Sequence, residues 1–230
     1  MKLSKSKIKT FETCPFLFKL KYVDGTLQDG IKNDAMIRGI DIHEMLDTYF
    51  KPKSQEKTDI KIKDIKQLNE EIQKHPKFEE HREAISNFIN FNERMSNIIP
   101  IYTEETLEDD TYNLKGIIDR VNMTTDGKLV LLDYKTGQKH PITDYRFELA
   151  LYTYLFEVNH NTKIDFWGIY FPDHDTELIE PVNRDEIQSA INHVIKIRKE
   201  IKNCIDLNKF KKCPNYSCKW CEAKKRRLCI

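Results

Sequence analysis

The chain has 230 residues, 39% of them hydrophobic and 33% charged, which is enough apolar material for a large core under a heavily charged surface. A formal net charge of +1 excludes a uniformly basic protein, so any contact with nucleic acid has to use local patches. No stretch is long and apolar enough to span a membrane, and the opening "MKLSKSKIKTFETCPF" lacks the apolar run of a secretory signal, so a cytosolic protein is expected.

Residues 3–23 read as a helix interrupted near Pro15, with a turn at Asp24-Gly25. Residues 36–50, "MIRGIDIHEMLDTYF", read as a second helix with Gly39, His43, Leu46 and Phe50 along one face. "KPKSQEKTD" at 51–59 has the composition of a solvated linker, and 60–98 is helical in pattern, broken near Pro76. The sheet is predicted to begin near Ile101 and to include a hairpin, followed by a helix over about 144–158 and a strand over 164–171. Asn183-Arg184-Asp185-Glu186 resembles a capping box that opens a helix running to about Lys202. The expected organisation is N-terminal helices at 1–50, a helical insertion at 51–100, an α/β core at 101–205 and a basic, cysteine-rich tail at 206–230.

The hairpin carries the chemistry. Ile117-Ile118-Asp119-Arg120-Val121 and Leu129-Val130-Leu131-Leu132-Asp133-Tyr134-Lys135 read as buried strands, yet each holds an aspartate. A three-residue loop, Thr125-Asp126-Gly127, with Gly127 in the left-handed position, places Asp119 across from Asp133. A two-residue loop would shift the pairing by one position. Carboxylates so placed repel one another, and a divalent cation with oxygen ligands turns that repulsion into binding. Asp133 and Lys135 share a face while Tyr134 points away. An ammonium beside metal-bound carboxylates suits phosphodiester hydrolysis, since it stabilises developing anionic charge. The alternative is a salt-bridged rim. Glu104 or Glu105, on the preceding strand, is a candidate to complete the shell, and Arg38 and Arg120 are candidate phosphate contacts, with structural salt bridges as their alternative.

"GIIDR" followed by "LLDYKTG" resembles the active-site hairpin of the PD-(D/E)XK nuclease superfamily, in its RecB-like branch. "RGIDIHEML" resembles that branch's upstream G-x-x-x-H motif, and "ELALY" sits where the branch has Q-x-x-x-Y. "ETCPFLF" together with "CKWC" and a last cysteine resembles the iron–sulfur members, the AddB nucleases and the CRISPR-associated RecB-like exonucleases. The resemblance implies a mixed central sheet flanked by helices, a restriction-endonuclease-like α/β core. It implies that His43, Asp119, Asp133 and the Tyr134 carbonyl hold Mg²⁺ or Mn²⁺, that Lys135 assists water attack, and that Glu148 and Tyr152 position the strand. Glu148 departs from the usual glutamine, and the Cys221–Cys229 spacing is wider than the common pattern.

Four of the six cysteines fall in the last eighteen residues, and Cys218-x-x-Cys221 is a two-thiolate ligand motif. Two closures compete. Cys14, Cys218, Cys221 and Cys229 around a [4Fe–4S] cluster would tie the two ends of the chain together; Cys213, Cys218, Cys221 and Cys229 would form a local zinc site. The resemblance favours the cluster. Closure would also bring Lys2, Lys5, Lys7 and Lys9 towards Lys211, Lys212, Lys224, Lys225, Arg226 and Arg227, giving a basic surface interleaved with Phe11, Phe16, Tyr216 and Trp220 for single-stranded DNA. The expected function is a Mg²⁺- or Mn²⁺-dependent deoxyribonuclease acting on single-stranded DNA or DNA ends, with a helicase, recombination or CRISPR adaptation protein as a candidate partner. The alternative is a non-catalytic DNA-binding or assembly subunit.

Overall fold

A computed structural model describes residues 1–27, 33–50, 65–95, 98–214, 218 and 221–229. The linker at 51–59, Tyr216 and Trp220 lie outside the described residues.

Five strands form one mixed sheet in chain order: β1 (Ile98–Asp109), β2 (Leu114–Thr124), β3 (Leu129–Tyr134), β4 (Phe166–Phe171) and β5 (Thr176–Pro181). All neighbours are antiparallel except β3 and β4, which run parallel and are joined across one face by helix α6 (Arg146–His160). The β2–β3 register pairs Arg120 with Leu132 and Met123 with Leu129. Gly127, at φ 79°, closes the three-residue loop in the left-handed conformation that the turn needs.

Both faces of the sheet are covered, which is why every residue of β3 is buried. Leu131, Val121 and Ile169 pack against α6, α7 (Arg184–Asp206) and α1 (Lys5–Thr13). Val130, Leu132 and Tyr170 pack on the other face against α3 (Asp34–Phe50), α4 (Ile65–Ile72) and α5 (Arg82–Arg94). The segment after 51 thus supplies α4 and α5 to one of the two layers that bury the sheet.

Several elements differ from expectation. The N-terminal helix begins only at Lys5, capped by Ser4, because Leu3 bridges to β2 through bonds to Asn113 and Lys115. After α1 the chain turns through the short α2 (Pro15–Phe18) and a π-helix, Lys19–Val23. Strand β5 carries only Leu178 and Ile179 as apolar side chains, so its edge position leaves almost no hydrophobic signal. At the tail a four-residue helix, α8 (Glu222–Lys225), places Ala223 against Leu20 and Leu27, with Phe16, Leu17, Cys221 and Cys229 around them.

Candidate active site

The site forms where β2 and β3 part company. Ile118 and Val121 both join the α6-side core although they are three positions apart, so side-chain alternation breaks between them, at Asp119 and Arg120. The β2–β3 ladder ends at Arg120–Leu132; continuing its register sets Asp119 opposite Asp133. The Asp119 carboxylate turns into that fork and accepts the backbone N–H of Tyr134 at 2.6 Å.

His43 Nδ1, from α3, stands 3.8 Å from Asp119 Oδ1 and 4.0 Å from Glu104 Oε1. His43, Glu104 and Asp119 each offer a ligand atom, all within 4.8 Å of one another. Glu104 adopts a left-handed conformation, φ 45°, in the middle of β1. Such a conformation is costly for a non-glycine residue and is concentrated at functional sites. Glu105 goes elsewhere, its carboxylate 3.0 Å from His160 Nε2. Glu104 is therefore the acid that joins the group, a choice between neighbours that the sequence left open.

Asp133 stands beside this group, with the Lys135 ammonium on its Oδ2 atom. Glu148 gathers three partners: Lys135 Nζ at 3.3 Å, Lys5 Nζ at 2.8 Å and the Tyr152 hydroxyl, which donates to it at 3.2 Å. Lys5 is a site neighbour that sequence reading assigned only to a general basic surface; α1 delivers it to a buried carboxylate.

Electrostatics follow from this crowding. Burial, and then the Glu104 charge, push Asp119 up to about 7 despite the Tyr134 N–H. Burial and the nearby Asp119 charge push Asp133 up to about 7. Burial lowers His43, which favours the neutral, metal-ligating imidazole, while Asp133 and a Tyr134 backbone hydrogen bond act in the opposite direction. Burial disfavours the charge on Lys135, yet Asp133 and Glu148 outweigh it and the ammonium is raised above its ordinary value. For Glu148, burial is outweighed by Lys135 and Lys5, which hold it below the usual carboxylate range.

An open cleft of about 690 Å³ leads to the group, lined by Met36, Gly39, Ile40, His43, Glu104 and Lys135 among others. Gly39 lets α3 close on the loop after β3: a Cβ there would stand 3.1 Å from Thr136 Oγ1.

Two expectations are corrected. Arg120 is 1% exposed and lies within the α5-side layer, where it donates to Asn122 and, at 2.7 Å, to Asn92 Oδ1. Its position on the inward face of β2 keeps it from phosphate. Phe11 is likewise core, 3% exposed, and does not offer a stacking surface. Arg38 is half-exposed, and its guanidinium forks onto Asp173, with Nη1 2.9 Å from Oδ2. Lys2 pairs with Glu108 and Asp110 at the β1–β2 turn. Lys224 and Arg226 are exposed on the tail.

The segment bearing Cys14 does meet the tail. The Phe16 N–H donates to the Lys211 carbonyl at 3.1 Å, and the Lys212 ammonium lies 5.1 Å from the Phe16 ring centre. Tetrahedral zinc with bonds near 2.3 Å holds its sulfurs about 3.8 Å apart. Among the described residues, no three cysteine sulfurs lie within 4.8 Å of one another.

A five-stranded mixed sheet with two acids and a lysine at the fork of its central hairpin is the architecture of the restriction-endonuclease-like nucleases. The family model of the PD-(D/E)XK nuclease superfamily matches residues 2–226, and the chain belongs to that superfamily. No curated protein matches the sequence significantly. Among solved structures, a Eubacterium rectale protein described as a candidate exonuclease is 14% identical, with a TM-score of 0.58 over 100% of this chain and 89% of that one; the likeness is one of fold. The structure of SSO0001, 17% identical over 83% of this chain and 95% of that one, has a TM-score of 0.34.

Nucleases of this superfamily typically use a divalent cation, and the donor set fits one. One imidazole and two carboxylates converge beside the buried Asp133, and a cation would offset the cost of burying and crowding these acids.

Proposed function

We propose that this chain is a Mg²⁺- or Mn²⁺-dependent DNA exonuclease of the RecB-like branch, acting on single-stranded DNA or DNA ends. The observation that carries this reading is the convergence of His43, Glu104 and Asp119 beside the Asp133–Lys135 pair at the fork of the hairpin.

His43, Glu104, Asp119 and Asp133, with the Tyr134 carbonyl, would hold the cation. When bound, it supplies a Lewis acid for the phosphate and lowers the pKa of a water. The protein's own residues do the rest. Lys135 keeps its proton under the charges of Asp133 and Glu148, so its ammonium is available to stabilise anionic charge on the scissile phosphate. Glu148 is a positioning residue, since its partners are Lys135, Lys5 and Tyr152. Met36 and Ile40 line the cleft one helical turn apart and are exposed, an apolar platform that suits unpaired bases better than a duplex backbone. The description of the Eubacterium rectale neighbour as a candidate exonuclease agrees with an end-directed activity.

The reading includes a [4Fe–4S] cluster on Cys14, Cys218, Cys221 and Cys229. Cys221 and Cys229 share an apolar cluster with Phe16 and Leu17, which directly follow the Cys14-Pro15 step, and this proximity of the Cys14 segment to two tail cysteines supports the reading. Lys224 and Arg226 beside this clamp offer backbone contacts to DNA. A helicase, recombination or CRISPR adaptation protein is the proposed partner.

Digesting 5′- and 3′-labelled single strands with Mg²⁺ or Mn²⁺ tests the reading. Wild type is expected to cleave, and Asp133→Ala and Lys135→Ala to lose about 100-fold or more. Equal rates in all three would remove the proposed site.

A further inference from the structure

A second set of donor atoms comes together where α3 meets the turn before α5, on a different side of α3 from His43. Asp41, Glu80 and His81 each offer a ligand atom, and these lie within 4.8 Å of one another. His81 is 3% exposed, and neither of its ring nitrogens makes a hydrogen bond. Its Nε2 atom stops 3.6 Å from Asp41 Oδ2, too far for a hydrogen bond. A buried imidazole left this way is an uncompensated cost unless something else uses its lone pair.

We infer that Asp41, Glu80 and His81 form a second divalent-cation site of the zinc class, which fastens α3 to the turn before α5. An imidazole and carboxylate oxygens are all ligand types that zinc accepts, with a water completing a four-coordinate shell. The hairpin group has a further buried carboxylate, Asp133, beside it and so offers the extra oxygen that suits Mg²⁺ or Mn²⁺, which this group lacks among the described residues. Ligands about 2.1 Å from a tetrahedral ion stand about 3.4 Å apart, close to the 3.6 Å between His81 and Asp41. The ion sits on Asp41 Oδ2, because Oδ1 is taken by Lys77 Nζ at 2.5 Å. Lys77 competes for the same charge. Its side chain is 42% exposed and can swing into solvent. Asp41 and His43 are two positions apart on α3 and do not face each other, so this site is separate from the hairpin centre. The two groups have no residue in common.

Anomalous diffraction at the zinc edge, from crystals of the full chain soaked in ZnCl₂, separates this site by position from the hairpin and the cysteine tail. The expected result is a peak bonded to His81 and Asp41. Glu80→Ala, a change at an exposed residue that leaves the core intact, should weaken zinc binding there by about tenfold or more. Lys77→Met should strengthen it. The assignment is overturned by the absence of a peak at His81, or by equal occupancy in wild type and Glu80→Ala at limiting zinc.

Discussion

Glu148 contacts Lys135, Lys5 and Tyr152, and its proposed role is to position the lysine rather than to touch the reacting atoms. The superfamily branch that the motif resembles uses a glutamine here, and the carboxylate in this chain is matched by Lys5, which α1 brings within 2.8 Å. Glutamine keeps the shape and one acceptor oxygen, whereas alanine leaves Lys135 with Asp133 alone. Glu148→Gln is therefore expected to keep DNA cleavage within about tenfold of wild type, and Glu148→Ala to lose about 100-fold, measured as rates on a labelled strand. If glutamine and alanine lose activity equally, hydrogen bonding through this residue is not what places the lysine.

Residue identity alone misled at Arg120. A positive charge next to a hairpin acid suggested phosphate contact, but the side of the strand decides its role, and Arg120 faces Asn92, Asn122 and the Phe91 ring. The Asp119–Asp133 relation was legible because a three-residue loop with Gly127 fixes the register. The choice of Glu104 over Glu105 was not legible, because it follows from one left-handed residue.

At the scale of elements, the loop after β3 is tied down by Asp173, which follows β4. Asp173 accepts the Gly137 N–H at 2.6 Å and the Arg38 fork, linking that loop to α3. Burial pushes its carboxyl up, but Arg38 and the Gly137 N–H outweigh this and hold it below the ordinary range. A folded value below the unfolded one, near 3.9, means the stabilisation is full above that pH and disappears as pH falls through the folded value. Asp173→Asn is expected to lose about 1 kcal/mol at neutral pH and to show a shallower acid limb below pH about 4, read from urea midpoints across pH 3–7. An acid limb identical to wild type would contradict the account. The helices were legible from apolar periodicity and from punctuation such as Pro15 and Asn183, whereas β5 and the division of α3 to α5 from α6 and α7 across the sheet depend on long-range pairing that periodicity does not carry.

Across the whole molecule, the chain is held at its two ends. Leu3 bridges to β2, Phe16 bonds to Lys211, and Ala223 packs on Leu20 and Leu27. A cluster on Cys14 and the tail thiolates would close a loop of nearly the entire chain, the case in which a cross-link removes most entropy from the unfolded state. Protein purified without air is expected to be brown with broad visible absorption. Cys14→Ser should lose that absorption and melt about 5–10 °C lower. A colourless wild type containing zinc at the tail would replace the cluster by the local site.

The central claim is that carboxylates from adjacent strands share a cation that hydrolyses DNA. It is tested most directly by the rate at which wild type and Asp119→Asn degrade a labelled single strand in Mn²⁺. The account predicts that wild type shortens the strand and that the variant is slower by about 100-fold or more while still folded. Equal degradation by both proteins would contradict it.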